Sequence, residues 1–188
     1  MKKSSLIAPA AALGITLLLG QHLAAQQPAS SQAQTNLGER VRHELVMLPY
    51  YTVFDNLEYS VDGDMVTLGG QVRWPTLKSD AATVVKRLEG VSRVVNNIEV
   101  LPLSPTDDQI RRMVYRTLYA SNSPLSRYGW GAVPQIHILV KNGNVTLSGI
   151  VDREADKTIA TLLVNRVPGI FSVTNVLRGN AEGVIPEA

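Results

Sequence analysis

The sequence predicts an α+β protein made of two tandem αββαβ repeats, each a small three-stranded sheet packed on two helices. Two observations carry this. The stretch Val66-Thr67-Leu68-Gly69-Gly70-Gln71-Val72 recurs 79 positions later as Val145-Thr146-Leu147-Ser148-Gly149-Ile150-Val151, and the same offset pairs Leu57 with Ile136, Ala81 with Ala160, Gly90 with Gly169, Val94 with Val173 and Asn96 with Asn175. Around each copy, apolar residues alternate along two segments and then recur at helical spacing, so one supersecondary unit is duplicated. A domain of about 60 residues buries only about 60% of its unfolded surface, so the two units are expected to pack on each other.

In chain order, Met1-Lys2-Lys3 and the apolar run Leu6–Leu19 read as an export signal, with cleavage expected after Ala25; an uncleaved membrane anchor is the competing reading. Residues 26–35 contain only Gln, Pro, Ala, Ser and Thr and are expected to be a flexible leader. The first repeat covers 36–101. Asn36 with Glu39 looks like a helix N-cap, and Leu37, Val41, Leu45 and Leu48 follow at helical spacing to Pro49. Leu57, Tyr59 and Val61 alternate, Asp62-Gly63-Asp64 turns the chain, and Val66, Leu68, Gly70 and Val72 alternate again, which predicts a β-hairpin. Pro75 fits the first turn of a second helix that ends at Gly90, and a third strand is expected from Val91 to Leu101.

A short linker with prolines at 102 and 105 leads to the second repeat, 106–178, where Thr106 and Gln109 form a capping box ahead of Ile110, Val114 and Leu118. The helix is offset by 73 positions from its counterpart but the hairpin by 79, so six residues have been added around 126–131, in the aromatic run Arg127-Tyr128-Gly129-Trp130-Gly131. A hairpin, a helix from about Glu154 to Val167 and a strand from Ile170 to Leu177 follow, and 179–188 is expected to be a loose tail.

With no cysteine in the chain, disulfides, thiolate metal sites, cysteine nucleophiles and a lipid-modified cysteine are excluded. Lys2 and Lys3 belong to the signal, which leaves 16 basic against 16 acidic residues in the exported chain. Residues 37–100 carry seven Lys/Arg and nine Asp/Glu, whereas 101–178 carry nine and five, so repeat two is the basic half and favours an anionic partner. The charge is too diffuse for a dedicated nucleic-acid surface.

The chemistry of catalysis is thinly represented. His22 lies in the signal, His43 shares a helix face with Glu39 and Arg42, and His137 sits on a strand; no nucleophile elbow, P-loop, dinucleotide fingerprint or zinc-protease helix is present. No enzyme activity, cofactor or metal is expected. Asp62 and Asp64 read as turn residues. Gly70 and Gly149 are read as strand glycines that permit a bulge or close helix approach, and Gly90 and Gly169 as helix-ending glycines with positive φ. Asn96 and Asn175 point to the covered face of the sheet and are expected to satisfy a backbone group at a bulge or helix end.

One constellation suggests binding. Arg112, Tyr115, Arg116 and Tyr119 follow i, i+3, i+4, i+7 spacing opposite Ile110, Val114 and Leu118, and the added segment supplies Arg127, Tyr128 and Trp130. Arginine with interfacial aromatics suits anionic phospholipid headgroups. At about 1 kcal/mol per basic side chain near such a surface, three arginines give ~3 kcal/mol, weaker than millimolar, so Trp130 and Tyr128 are expected to supply the remainder by insertion. Packing of Tyr115, Tyr119 and Trp130 across the contact between repeats is the alternative.

The strand Val-Thr-Leu-x-Gly-x-Val, an amphipathic helix and Gly-Val/Ile-x-x-Val-x-Asn, found in this order twice, resemble the BON domain family of bacterial envelope proteins. The resemblance implies a non-enzymatic periplasmic protein that associates with phospholipid membranes and supports envelope integrity or osmotic tolerance. A protein–protein scaffold module with an envelope protein partner is the second reading. The added aromatic loop departs from the family pattern.

Overall fold

The computed structural model describes residues 29–131 and 134–179, with side chains from Gln34 onward. The expected signal (1–25) and tail residues 180–188 lie outside the described residues. Among the described residues no helix is long and apolar enough to cross a membrane.

Repeat one opens with α1 (Ala29–Val46). Its start precedes the expected one by seven residues, so Asn36 is an interior residue, and 29–35 are helical where a flexible leader was expected. Ala, Gln and Ser tolerate the helix, and no glycine or proline interrupts Ala29 to Leu37. The antiparallel hairpin of β1 (Asn56–Asp62) and β2 (Met65–Val72) follows, then α2 (Pro75–Lys86). This helix crosses over the sheet and returns the chain parallel to β2 as β3 (Arg93–Asn96) and β4 (Glu99–Val100). The single third strand expected from Val91 to Leu101 is therefore divided at Asn97–Ile98, where the Asn97 N–H still reaches the Leu68 carbonyl of β2 at 2.8 Å and the Ile98 N–H goes to Asn96 Oδ1 at 3.2 Å.

Repeat two has the same order: α3 (Pro105–Tyr119), β5 (Ile136–Lys141), β6 (Asn144–Val151), α4 (Glu154–Val164) and β7 (Ser172–Gly179), with β5 antiparallel and β7 parallel to β6. In both sheets the strand carrying the repeated Val-Thr-Leu motif is central. Its inward residues, Val66, Leu68 and Val72 or Val145, Leu147 and Val151, are all but fully buried under the helices. The alternation read from the sequence thus places one face of each sheet on the helices, and burial of each such side chain contributes about 1.5–3 kcal/mol.

Gly70 and Gly149 have φ of +90 and +127, and a Cβ at either would run into a main-chain carbonyl of the adjacent strand or the segment before it, Asn56 or Gln135. What approaches closely is the neighbouring strand's backbone and not a helix. Gly90 and Gly169, after α2 and α4, have the expected positive φ.

The repeats are stapled by the α1–β1 connection. Val53 is buried in the apolar core of repeat two, Phe54 packs against that core, and the Val53 carbonyl accepts the N–H of Ile138 on the β5 edge at 2.8 Å. Arg73 from repeat one bonds Asp108 of α3 at 3.0 Å and lies over the rings of Phe54 and Trp74. Lys141 of β5 pairs with Glu99 of β4.

Candidate functional site

The candidate surface is built on α3. Ser104 caps it, Oγ accepting the Asp107 N–H at 3.2 Å with Pro105 in the first turn, two residues ahead of the box expected at Thr106. Its inward side is unusual in carrying charge: Asp107 is buried and accepts the N–H groups of Asn142 and Gly143 at 2.9 and 2.8 Å, and buried Arg111 bonds the Val140 carbonyl and Asp108. These bonds fix α3 on the β5–β6 turn, and so fix the direction of the opposite face. Arg112 and Arg116 on that face are exposed, and neither has a carboxylate partner among the described residues.

Tyr115 is partly exposed, its ring 6.0 Å from Phe54 and 5.0 Å from Tyr119. The Tyr119 hydroxyl donates to the Ile136 carbonyl at 2.5 Å, and burial pushes its phenol far above the usual range. Tyr119 therefore ties α3 to β5 instead of facing outward as expected. The packing alternative holds in part: Tyr115 does touch repeat one, while Trp130 does not serve as a clamp and is 83% exposed.

The added segment folds as a 3₁₀ turn, Ser126–Gly129. Tyr128 is only 2% exposed, so it is not available to insert alongside Trp130. Its hydroxyl accepts the Asp152 N–H at 2.8 Å and donates to Asp156 at 2.8 Å, and its ring lies 4.5 Å beneath the Arg127 guanidinium. Arg127 in turn reaches Asp156 at 2.5 Å, Asp152 at 3.4 Å and the Pro124 carbonyl at 2.9 Å. Two carboxylates compensate its charge, so the electrostatic contribution falls from three arginines to Arg112 and Arg116, about 2 kcal/mol. Arg127 and Tyr128 are the clasp that holds the turn on α4, with Trp130 projecting beyond it.

The α1–β1 connection supplies two exposed apolar residues that pattern reading passed over, Met47 and Tyr50, at 67% and 79%. The available signal was phase: neither belongs to the series Leu37, Val41, Leu45, Leu48 that α1 and the turn after it bury.

Asn96 and Asn175 bond between helix and strand and not at a helix end. Nδ2 of each donates to a helix carbonyl, Lys78 or Lys157, at 2.9 and 2.8 Å. His43 is exposed. His137 lies at the seam with its ring 5.7 Å from Tyr51, and its Nδ1 has no hydrogen-bond partner. Burial lowers the His137 pKa, opposed by the Asp55 and Thr52 backbone and the Asp55 charge, and raises that of Tyr51 to about 12. Asp55 commits its carboxylate to Thr52 and to the Arg73 N–H, which leaves no acid–base pair with His137. No group of three or more His, Asp or Glu able to hold a metal exists among the described residues. A groove of about 280 Å³ between the repeats is lined by Gln71, Leu139, Lys141, Asn142, Asn144 and Thr146, and holds no nucleophile–base arrangement.

Residues 33–102 and 106–181 each match the BON domain. Over 125 residues the chain is 28% identical to osmotically-inducible protein Y of Escherichia coli (strain K12), covering 65% of this chain and 61% of that relative, so it spans less than two thirds of the relative's length. Among solved structures it is similar to CdsD, a structural protein of the type III secretion system of Chlamydia trachomatis, at 16% identity over 79% of this chain and 95% of that one, with a TM-score of 0.29. Its similarity to the CdsD C-terminal domain is 15% identity with a TM-score of 0.28, covering 77% of this chain and 97% of that one. Scores this low carry no argument about function.

Proposed function

The chain belongs to the BON domain family, and from that premise we propose that it is a non-enzymatic, periplasmic, osmotic-stress-related protein of the cell envelope whose second repeat docks on anionic phospholipid membranes. The observation that carries the reading is Trp130, exposed beyond a clasp in which Arg127 closes over buried Tyr128 and Asp156. A large aromatic ring held in water by a rigid turn gains free energy on entering the headgroup region, without the ordering cost of a mobile loop. The exposed cations Arg112 and Arg116 on α3, whose Tyr119 packs against Gly129 of the same turn, complement anionic lipid. The name of its Escherichia coli relative, osmotically inducible, supports the stress context.

Flotation of the chain from Gln26 onward with vesicles of phosphatidylcholine, with and without phosphatidylglycerol, tests the reading. Binding should require the anionic lipid, and Trp130→Ala or Arg112→Ala with Arg116→Ala should each lower recovery. Equal recovery of all variants would remove the site, and capture of one envelope protein without vesicle binding would favour the scaffold reading.

A further inference from the structure

We infer that repeat one provides a second anchor on the same bilayer: the α1–β1 connection inserts Met47 and Tyr50 into the headgroup region of the anionic phospholipid surface that receives Trp130. This rests on the docking reading above and adds residues from the other repeat to it.

The connection is immobilised against repeat two at three successive points. The Tyr51 ring lies on His137, the Val53 carbonyl accepts the Ile138 N–H, and the Phe54 ring packs on Tyr115. Tyr115 lies on α3 between Arg112 and Arg116, so the connection continues the same surface. One side of the connection is thus committed to repeat two, while Met47 and Tyr50 are exposed. The Tyr51 N–H closes the turn on the Leu48 carbonyl at 3.3 Å, with Tyr50 held at φ +67, a left-handed conformation uncommon outside glycine, Asn and Asp. A bulky residue kept there, with its ring in water, points to a use for the ring.

The chemistry of the neighbours selects the occupant. Arg42, in the last turn and a half of α1, is exposed with no carboxylate partner among the described residues, as Arg112 and Arg116 are on α3. Each repeat therefore offers exposed arginine on the helix that leads into an exposed aromatic ring, the pattern that suits an anionic membrane interface. Two such points joined by a packed seam contact one surface together, so the second insertion is intramolecular and fixes the tilt of the molecule.

Because the chain has no cysteine, Tyr50→Cys and Trp130→Cys each give a single site for an environment-sensitive fluorophore. Both labels should shift to the blue on anionic vesicles and be quenched by brominated acyl chains. Tyr50→Asn, which tolerates the left-handed backbone, should weaken vesicle binding by about tenfold with an unchanged unfolding midpoint. Quenching at 130 with none at 50 overturns the second anchor and leaves the docking reading intact. Failure of the unlabelled chain to bind vesicles overturns both.

Discussion

Asn175 holds the backbone of Leu177: its Oδ1 accepts the Leu177 N–H at 3.0 Å while its Nδ2 donates to the Lys157 carbonyl at 2.8 Å and to Thr161 Oγ1 at 2.8 Å. One side chain thereby fastens β7 to α4 and gives the Leu177 N–H a partner. Asn96 does the same in repeat one between Ile98 and Lys78. Asn175→Leu fills similar volume but leaves the Leu177 N–H without its partner, and should cost about 1–3 kcal/mol in urea unfolding. Freed strand-edge N–H groups also template association, so the variant should show concentration-dependent light scattering that the parent lacks. A neutral result would mean that the amide is incidental to the fold.

Val53 belongs by sequence to repeat one and by packing to repeat two. Val53→Ala removes two methyl groups from that core and should lower stability by about 1–2 kcal/mol. Since the seam couples the repeats, the loss should appear in a single unfolding transition followed by Trp fluorescence and by circular dichroism. Repeat two produced without residues 29–101 loses Val53 and Phe54 and exposes the Ile138 edge, and is expected to be less stable than it is in the full chain. An isolated repeat two with unchanged stability would show the seam to be dispensable.

The duplicated elements were legible because their signals are local: hairpin alternation, the Pro75 and Gly90 limits of the second helix, and a gap-free 79-residue offset through Asn96 and Asn175. The added segment was not. Tyr128 lies in a short 3₁₀ turn and Trp130 just after it, where neither strand nor α-helical periodicity assigns inside and outside. What separates them is Asp152 and Asp156, contributed by the end of the second hairpin and α4, which no spacing around Tyr128 reveals. Arg127 looked like a free cation for the same reason. The seam was hidden too, because Val53 and Phe54 belong to neither periodic series.

His137 makes the seam pH-sensitive. Its burial lowers the pKa in the folded state below the ordinary 6.5, so the unfolded chain binds the proton more readily. Its contribution to stability is complete above the unfolded pKa and is lost as pH falls from there through the folded pKa. The thermal midpoint should therefore drop as the pH falls below about 6.5, the ordinary histidine value. His137→Phe, which keeps a ring against Tyr51 and removes both the titration and the unpartnered Nδ1, should flatten that slope. An unchanged slope in the variant would assign the pH dependence to groups other than His137.

Tyr128→Phe separates the rigidity of the added turn from its contacts with lipid. The buried hydroxyl accepts from Asp152 N–H and Arg127 and donates to Asp156, so deleting it leaves these groups to rearrange at a cost of about 1–3 kcal/mol. No exposed atom of the turn changes, and Trp130, Arg112 and Arg116 keep their chemistry. In a Trp74→Phe background that isolates the Trp130 signal, the variant should show lower fluorescence anisotropy and weaker vesicle binding, because a looser turn must be ordered on docking. Lower anisotropy with unchanged binding would show that Trp130 inserts without needing the clasp. Unchanged anisotropy would show that the Arg127–Asp156 pair suffices to hold the turn.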